Sequence, residues 1–430
     1  MNKKILIIGT VPYNEQSTSR AFLSYFSEIK MEQLAQIFSD PHIPPKGHCG
    51  TFYQITDKNL LERYLKSNIT TGKIYYSKDL INLNLSKDFE NKSNIISILY
   101  KIGKNKIPII YLLRKLLWKK KYWYTSKLIN WVESFSPDCI FLSFSDDFFI
   151  PSIALVLAKK FNIPIISSIG DDYFFNYNFS LSPLYHIYKL SYRNLIQKVL
   201  EWPGSAIYIS DKIRDKYNST FDINGKTIYL SSEVRRRPFQ YINTDKPIIS
   251  YFGNIRLGRN FSLNQIANKL KEINKDFYLN VYSNEQDSKY YKILEKNTNI
   301  IFHGSIPYVA VKEKMLSSDI LVIVEGFRKK DINITRYSLS TKIADYLASG
   351  VALLAYGPNG SGAIDYMQEI GCIPTCTDNE KLKETIENLL FDKEYQLNSY
   401  KESKKIYDKN HTINQNLNIF RELVNNVCEQ

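Results

Sequence analysis

Cysteine is scarce in this 430-residue chain, with five residues scattered as Cys49, Cys139, Cys372, Cys376 and Cys428. So sparse and odd a set excludes a disulfide framework, and reduced thiols are expected. Cys372 and Cys376 bracket a CIPTC stretch, yet no second cysteine pair or nearby histidine cluster completes a metal site, so no metal is expected. Long apolar runs are missing too. The run Ile5 to Ile8 is too short for a secretory leader, and the run Phe148 to Ala158 contains Pro151 and falls short of the ~18–20 residues that cross a bilayer. The expectation is a cytoplasmic protein. Glycine is thin where nucleotide motifs need it. After the first apolar run only Gly9 is present, which removes the G-x-G-x-x-G dinucleotide fingerprint, and no G-x-x-x-x-G-K-[ST] loop occurs anywhere. Dehydrogenases of the usual kind and P-loop ATPases are therefore disfavoured.

What is present suits globular cores. Hydrophobic residues make up 44% and aromatics 14% of the chain, and the length suggests two or three domains at about 150 residues each. The formal net charge is +14, and it is uneven: between Lys101 and Phe135 there are nine Lys or Arg against the single acid Glu133. A surface of that sign favours nucleic acid or anionic lipid.

Short apolar, β-branched runs alternate with amphipathic ones. Strand-like segments fall at 4–9, 34–40, 139–145, 164–170, 205–210 and 226–232, with helical patterns at Ser19–Ile29, Pro151–Phe161 and Pro183–Leu200 between them. Arg235, Arg236, Arg237 and Pro238 then open a polar stretch to Lys246 that reads as a linker. The rhythm restarts at 247–253, 277–283, 299–305, 319–326 and 351–357, and from about Asp378 onward only helical patterns follow. Continuous apolar strands separated by helices predict parallel sheets covered on both faces. The expected architecture is α/β, with two Rossmann-like doubly wound domains facing each other across a cleft. The expected divisions are 1–236, 247–395, and a helical tail over 396–430 packed back on the N-terminal domain. In such sheets ligands sit past the C-terminal strand ends, so the loops there are the ones to read.

The first such loop, GTVPYNEQSTSR, offers Gly9 and Thr10 to an acceptor or phosphate, while Ser17, Thr18 and Ser19 suit capping of the next helix. Asp171 and Asp172 follow the strand at 164–170, where a carboxylate can accept from a sugar hydroxyl or serve as a base; capping a turn is an equal alternative. Asp146 and Asp147 precede a helix and read as caps. In the second half, GNIRLGRN places Arg256 and Arg259 past a strand end, where two guanidiniums can clamp a diphosphate.

The stretch SLSTKIADYLASG, Ser338 to Gly350, is the most informative. Ser340 or Thr341 suits an N-cap and Gly350 the C-terminal position past the helix. Ile343, Ala344, Leu347 and Ala348 form an apolar side, and Lys342, Asp345 and Ser349 share the other. A Lys–Asp pair at this spacing supports a helix by ~0.2–0.5 kcal/mol. Lys342, however, sits in the first turn, where it adds to the positive end of the helix dipole; an anion bound there resolves the conflict. Asp345, one turn on, can take a ribose diol.

These pieces resemble the nucleotide-sugar half of a GT-B glycosyltransferase of the family 4 type. The matching segments are YFGNIRLGR, IIFHGSIPYVAVKEKMLSSDILVIVEG and STKIADYLASGVALLAYGPNGSG, with SAIYISDKIRDKYNSTF similar to the end of the N-terminal half. The resemblance implies a donor-diphosphate loop with Gly253, Arg256 and Arg259, and a base held near Ile306. It also implies phosphate contacts from Ser340, Thr341 and Lys342, and a ribose contact from Asp345. The family's pair of glutamates eight apart is not present as such: Asp345 stands for the second, and Glu325, at the wrong spacing, is the substitute for the first. With the family's N-domain histidine also lacking a counterpart, Asp171 or Asp172 is the nearest candidate. The segment 40–135 matches nothing in the family.

The basic run at 101–124 interleaves Lys and Arg with Leu, Ile, Trp and Tyr. Its apolar stripe flanked by cations suits an interfacial helix on an anionic membrane, ahead of a plain packed helix and of nucleic-acid binding. The resulting expectation is a glycosyltransferase at the cytoplasmic face. It would move a sugar from a UDP- or GDP-type donor to a polysaccharide, glycoprotein or lipid-linked saccharide, with retention and without metal or cofactor. An epimerase or hydrolase on the same fold, or a silent partner subunit, are the competing readings.

Overall fold

In the computed structural model, residues 2–12, 19–66, 69–82, 108–176, 180–286 and 288–429 are described. The chain divides into two compact units: 1–208 with 214–227 and 417–430, and 209–213 with 228–416.

The first unit is built on an eight-stranded sheet. Its strands are β1 (Ile5–Ile8), β2 (Leu34–Phe38), β3 (Thr51–Gln54), β4 (Lys73–Tyr76), β5 (Cys139–Ser143), β6 (Ile165–Ile169), β7 (Gly204–Tyr208) and β8 (Lys226–Thr227), in the order β4-β3-β2-β1-β5-β6-β7-β8. The apolar runs expected to be strands are strands, except that the run at 226–232 is paired only at Lys226–Thr227; Ile5 to Ile8 are all fully buried, as two-faced coverage demands. Within 40–135, where a helix was expected at 101–124 but no strand, lie β3 and β4; the helix is present as Pro108–Leu117. The β3–β4 pairing is antiparallel, so the sheet is mixed at that edge. The helix expected from Pro151 begins earlier, at Phe149, which leaves the proline in a first turn that needs no N–H from it. The Asp147 carboxylate does not cap this helix; it pairs with the Arg114 guanidinium at 2.5 Å.

The second unit carries β9 (Ile249–Phe252), β10 (Leu279–Tyr282), β11 (Ile300–Gly304), β12 (Ile320–Val324), β13 (Ala352–Tyr356) and β14 (Thr375–Cys376), all parallel, in the order β11-β10-β9-β12-β13-β14. Alternate residues face opposite ways and both faces are buried. Tyr251, Val322, Val324 and Leu354 pack under helices Arg259–Ile273 and Leu382–Phe391. Phe252, Leu321, Ile323 and Leu353 pack under helices Lys342–Ser349 and Gly362–Ile370. Strand order reverses between β9 and β12. Their ladder covers only Ile249–Ile320 and Ser250–Leu321, so the sheet's topological switch point is also where two neighbouring strands stop bonding to each other.

The residues that read as a linker are extended and anchored within this unit. Arg236 donates to Leu347 O at 2.7 Å and to Ser403 Oγ at 2.9 Å, and its guanidinium lies over the Tyr400 ring at 4.3 Å. Arg237 donates to Leu316 O and Ser318 O. Helix Lys393–Asn410 packs here, while 417–430 belongs to the first unit.

Candidate functional site

The β9–β12 switch point gathers most of the charged candidates. β9 ends at Phe252, and Gly253 follows with φ 137°, a conformation that disfavours any side chain. A Cβ on Gly253 would lie 2.3 Å from Lys342 Nζ, so the glycine makes room for the ammonium. Helix Lys342–Ser349 begins at the lysine itself, as expected, and ends at Gly350 in the left-handed conformation. No side chain caps its N-terminus, contrary to the roles expected of Ser340 and Thr341; Ser340 contributes its carbonyl, which accepts from Ile343 N at 3.1 Å.

Lys342 Nζ donates to the Tyr251 hydroxyl at 3.2 Å and stands 4.5 Å from that ring's centre. Its pKa is lowered to about 7, first by burial and then by repulsion from Arg259, with Glu325 opposing. Arg259 opens helix Arg259–Ile273 and reaches back across the switch point. It donates to both Glu325 oxygens at 2.9 and 3.0 Å, to Val324 O at 3.3 Å and to Asn254 Oδ1 at 2.9 Å. Glu325 follows β12 and is 2% exposed, so its carboxylate is the internal counter-ion of Arg259. The ion pair is Arg259's: Lys342 feels the Glu325 carboxylate only through space, and the buried Asp331 also acts on Arg259.

Arg256 stands apart from this trio. Its exposed guanidinium meets the buried Glu285 carboxylate at 2.7 Å. Glu285 and Tyr251 were not among the candidates. Glu285 follows β10 in a strand-end loop, so the positional rule that selected Arg256 reaches it too; Tyr251 lies inside an apolar strand and carries no such signal. Ile306 is half-buried against the core face under helix Lys342–Ser349.

Asp345 turns elsewhere. It is buried, and its carboxylate accepts from Ser232 Oγ at 2.7 Å, tying the extended stretch after β8 to the helix. In the first unit, Gly9 N donates to Ile37 O, and Thr10 O accepts from Ser39 N and Asp40 N, so the backbone of this loop is fixed against the loop after β2. Ser17 and Thr18 lie outside the described residues. Asp172 accepts from Phe175 N at 2.8 Å and from the Tyr217 hydroxyl at 3.0 Å, a turn-forming role, whereas Asp171 is exposed. Among the described residues no group of three or more His, Cys, Asp or Glu is placed to hold a metal.

The fold of this chain is matched by solved structures over nearly its whole length. HepE from Anabaena, solved with UDP, aligns with a TM-score of 0.58 over 98% of this chain and 100% of its own at 10% identity. A trehalose-6-phosphate protein from E. coli bound with UDP-2-fluoro glucose aligns at 0.60 over 99% of each chain with 9% identity. Sucrose-phosphate synthase from Thermosynechococcus elongatus aligns at 0.57 over 99% of each with 11% identity. The fold is GT-B. No family model and no curated protein sequence matches the chain. In this GT-B chain the Lys342–Arg259–Glu325 cluster falls on the second unit, the half whose segments carry the nucleotide-sugar resemblance.

Proposed function

We propose that this GT-B chain is a glycosyltransferase using a nucleotide-diphosphate sugar, with the donor diphosphate held at the β9–β12 switch point. The observation that carries the reading is the buried Lys342 beside Gly253, next to Arg259, which holds the Glu325 carboxylate. A diphosphate leaving group gains charge as the glycosidic bond breaks, and fixed cations meet that charge without a metal. In this role Lys342 binds protonated, Arg256 adds an exposed guanidinium that Glu285 also engages, and Glu325 acts through Arg259. A ribose contact by Asp345 would use a carboxylate that Ser232 already engages, and Asp171 is the candidate for handling the acceptor hydroxyl. HepE structures holding UDP and UDP-glucose make UDP the first nucleotide to test. The acceptor we propose is a saccharide or lipid-linked saccharide, modified with retention at the cytoplasmic face of a membrane.

The test is a thermal-stabilisation and nucleotide-release screen of the full chain against UDP, GDP and their sugars. Stabilisation by one nucleotide series, lost in Lys342→Ala with circular dichroism unchanged, is expected. No stabilisation by any of them overturns the donor site. Glu325 and Asp345 are both held by internal partners, and that outcome would favour a silent GT-B subunit. Nucleotide release without added acceptor would favour a hydrolase, and conversion of the donor to a different nucleotide sugar without release would favour an epimerase.

A further inference from the structure

Two neighbouring helices of the first unit carry aliphatic side chains on their outer faces. On helix Pro108–Leu117, Ile109, Leu113 and Leu116 are 47, 57 and 52% exposed. On helix Pro183–Leu200, Ile187 and Leu190 are 55 and 53% exposed, with Leu184 at 36% and Leu181, just before the helix, at 88%. The Tyr111 ring stacks on Tyr188 at 4.6 Å between centroids, and Lys115 Nζ donates to Ser191 Oγ at 2.5 Å. Both pairs rise together in sequence, so the helices run the same way and their ridges lie side by side.

An ordinary surface helix keeps its outward positions polar along its length. Helix Pro183–Leu200 does so only in its second half. Tyr188, Tyr192, Ile196 and Val199 point inward throughout, while the outward positions change from Leu184, Ile187 and Leu190 to Asn194, Gln197 and Lys198. The apolar exposure is therefore confined to the part beside helix Pro108–Leu117. Charge is equally one-sided: residues 108–124 and 180–200 contain eight Lys or Arg and no Asp or Glu. Arg114 is taken by Asp57 and Asp147, but Lys119, Lys120 and Lys121 are exposed directly after the first ridge. Aliphatic ridges bordered by ammonium groups fit an anionic bilayer surface, with the leucines at the acyl boundary and the lysines among the phosphates. Among the described residues no helix is long and apolar enough to cross a membrane.

We propose that this two-helix face seats the protein on a bilayer containing anionic lipid. The choice of a lipid occupant rests on the membrane contact named above, and the new element is that helix Pro183–Leu200 forms half of the surface. The test is co-sedimentation of the full chain with vesicles of phosphatidylcholine alone and of phosphatidylcholine with phosphatidylglycerol. Binding to the anionic vesicles only is expected. Leu184→Ser/Ile187→Ser/Leu190→Ser should lower partitioning by about tenfold or more. Lys119→Gln/Lys120→Gln/Lys121→Gln should lower it by about a hundredfold. Melting curves and stabilisation by UDP, read on the same variants, should match the unaltered protein; loss of UDP stabilisation in the unaltered protein counts against the donor site alone. Absence of binding to anionic vesicles overturns the proposal. So does full binding by the leucine variant with its fold intact, or a concentration-dependent dimer that this variant abolishes, since the face would then be covered by a second copy.

Discussion

At pH 7 the Lys342 ammonium of the empty protein is about half titrated, because burial and Arg259 have brought its pKa from 10.5 to about 7. A diphosphate placed against it supplies the missing counter-charge and returns the pKa toward its ordinary value. The bound protein then holds a proton that the empty protein has partly lost. Binding must take up that proton, and the affinity for UDP must fall as pH rises above 7, by about tenfold per pH unit while the bound form stays protonated. From pH 7.5 to 9.5 the fall works out at roughly 80-fold. The window starts at 7.5 because the terminal phosphate of UDP itself titrates near pH ~6. Titration calorimetry in two buffers of different protonation enthalpy reads the same event directly: about 0.9 proton taken up per UDP at pH 8. Lys342→Met should bind weakly with no slope. A dissociation constant that stays flat from pH 7.5 to 9.5, or a slope that survives in Lys342→Met, refutes the assignment of Lys342 to the diphosphate.

Three further outcomes follow from groups around the site. Arg259→Ala strands Glu325 as a buried unpaired carboxylate and should cost about 3–5 kcal/mol, seen as a lower melting temperature. Arg259→Met/Glu325→Leu should recover part of that loss, and a double variant no better than the single would show that the pair is not the source. Ser232→Ala removes the hydroxyl that donates to buried Asp345 and should cost about 1–3 kcal/mol in the same melts. His411 is buried, with its Nδ1–H donating to Leu230 O at 2.8 Å and its Nε2 accepting from the Tyr366 hydroxyl at 2.8 Å. Burial lowers its pKa from 6.5 to about 4, so the unfolded chain takes the proton first and stability is lost as pH falls from 6.5 toward 4. The loss should reach about 2 kcal/mol by pH 5, measured by urea unfolding, and His411→Gln should remove that part of the slope.

The architecture was readable because it is written in runs of residues. Ile5–Ile8, Cys139–Ser143 and Ile320–Val324 are apolar on both alternating faces, a pattern that only a strand covered on two sides requires. β3 and β4 escaped for the opposite reason. TFYQ and KIYY mix polar and aromatic residues near a sheet edge, where one face of β4 is exposed, and β14 is only two residues long. Their strand character comes from pairing, β3 with β2, β4 with β3 and β14 with β13, which local sequence does not carry.

The site divides along the same line. That Lys342 sits in the first turn of a helix was legible, since capping and apolar patterning place it there; that this turn lies beside the β9–β12 switch point follows from the strand order, which local patterning does not carry. Which carboxylate answers which cation was not. Arg256 and Arg259 sit three residues apart in one loop, yet one pairs with Glu285 after β10 and the other with Glu325 after β12. The two loops lie on opposite sides of β9, and the turn between the two arginines, with Leu257 (φ 54°) and Gly258 (φ 77°) both left-handed, aims their guanidiniums in different directions. Asp345 shows the same limit on a shorter scale. Three residues from Lys342, it was read as sharing the lysine's face, but the face is buried to its end, and Ser232, more than a hundred residues earlier, supplies the partner. Spacing along a helix fixes which residues point together; what they meet is decided by the segments the fold lays against them. A charge pair read from spacing alone therefore needs its third group, here Ser232 for Asp345 and Glu325 for Arg259, before it can be assigned to a ligand.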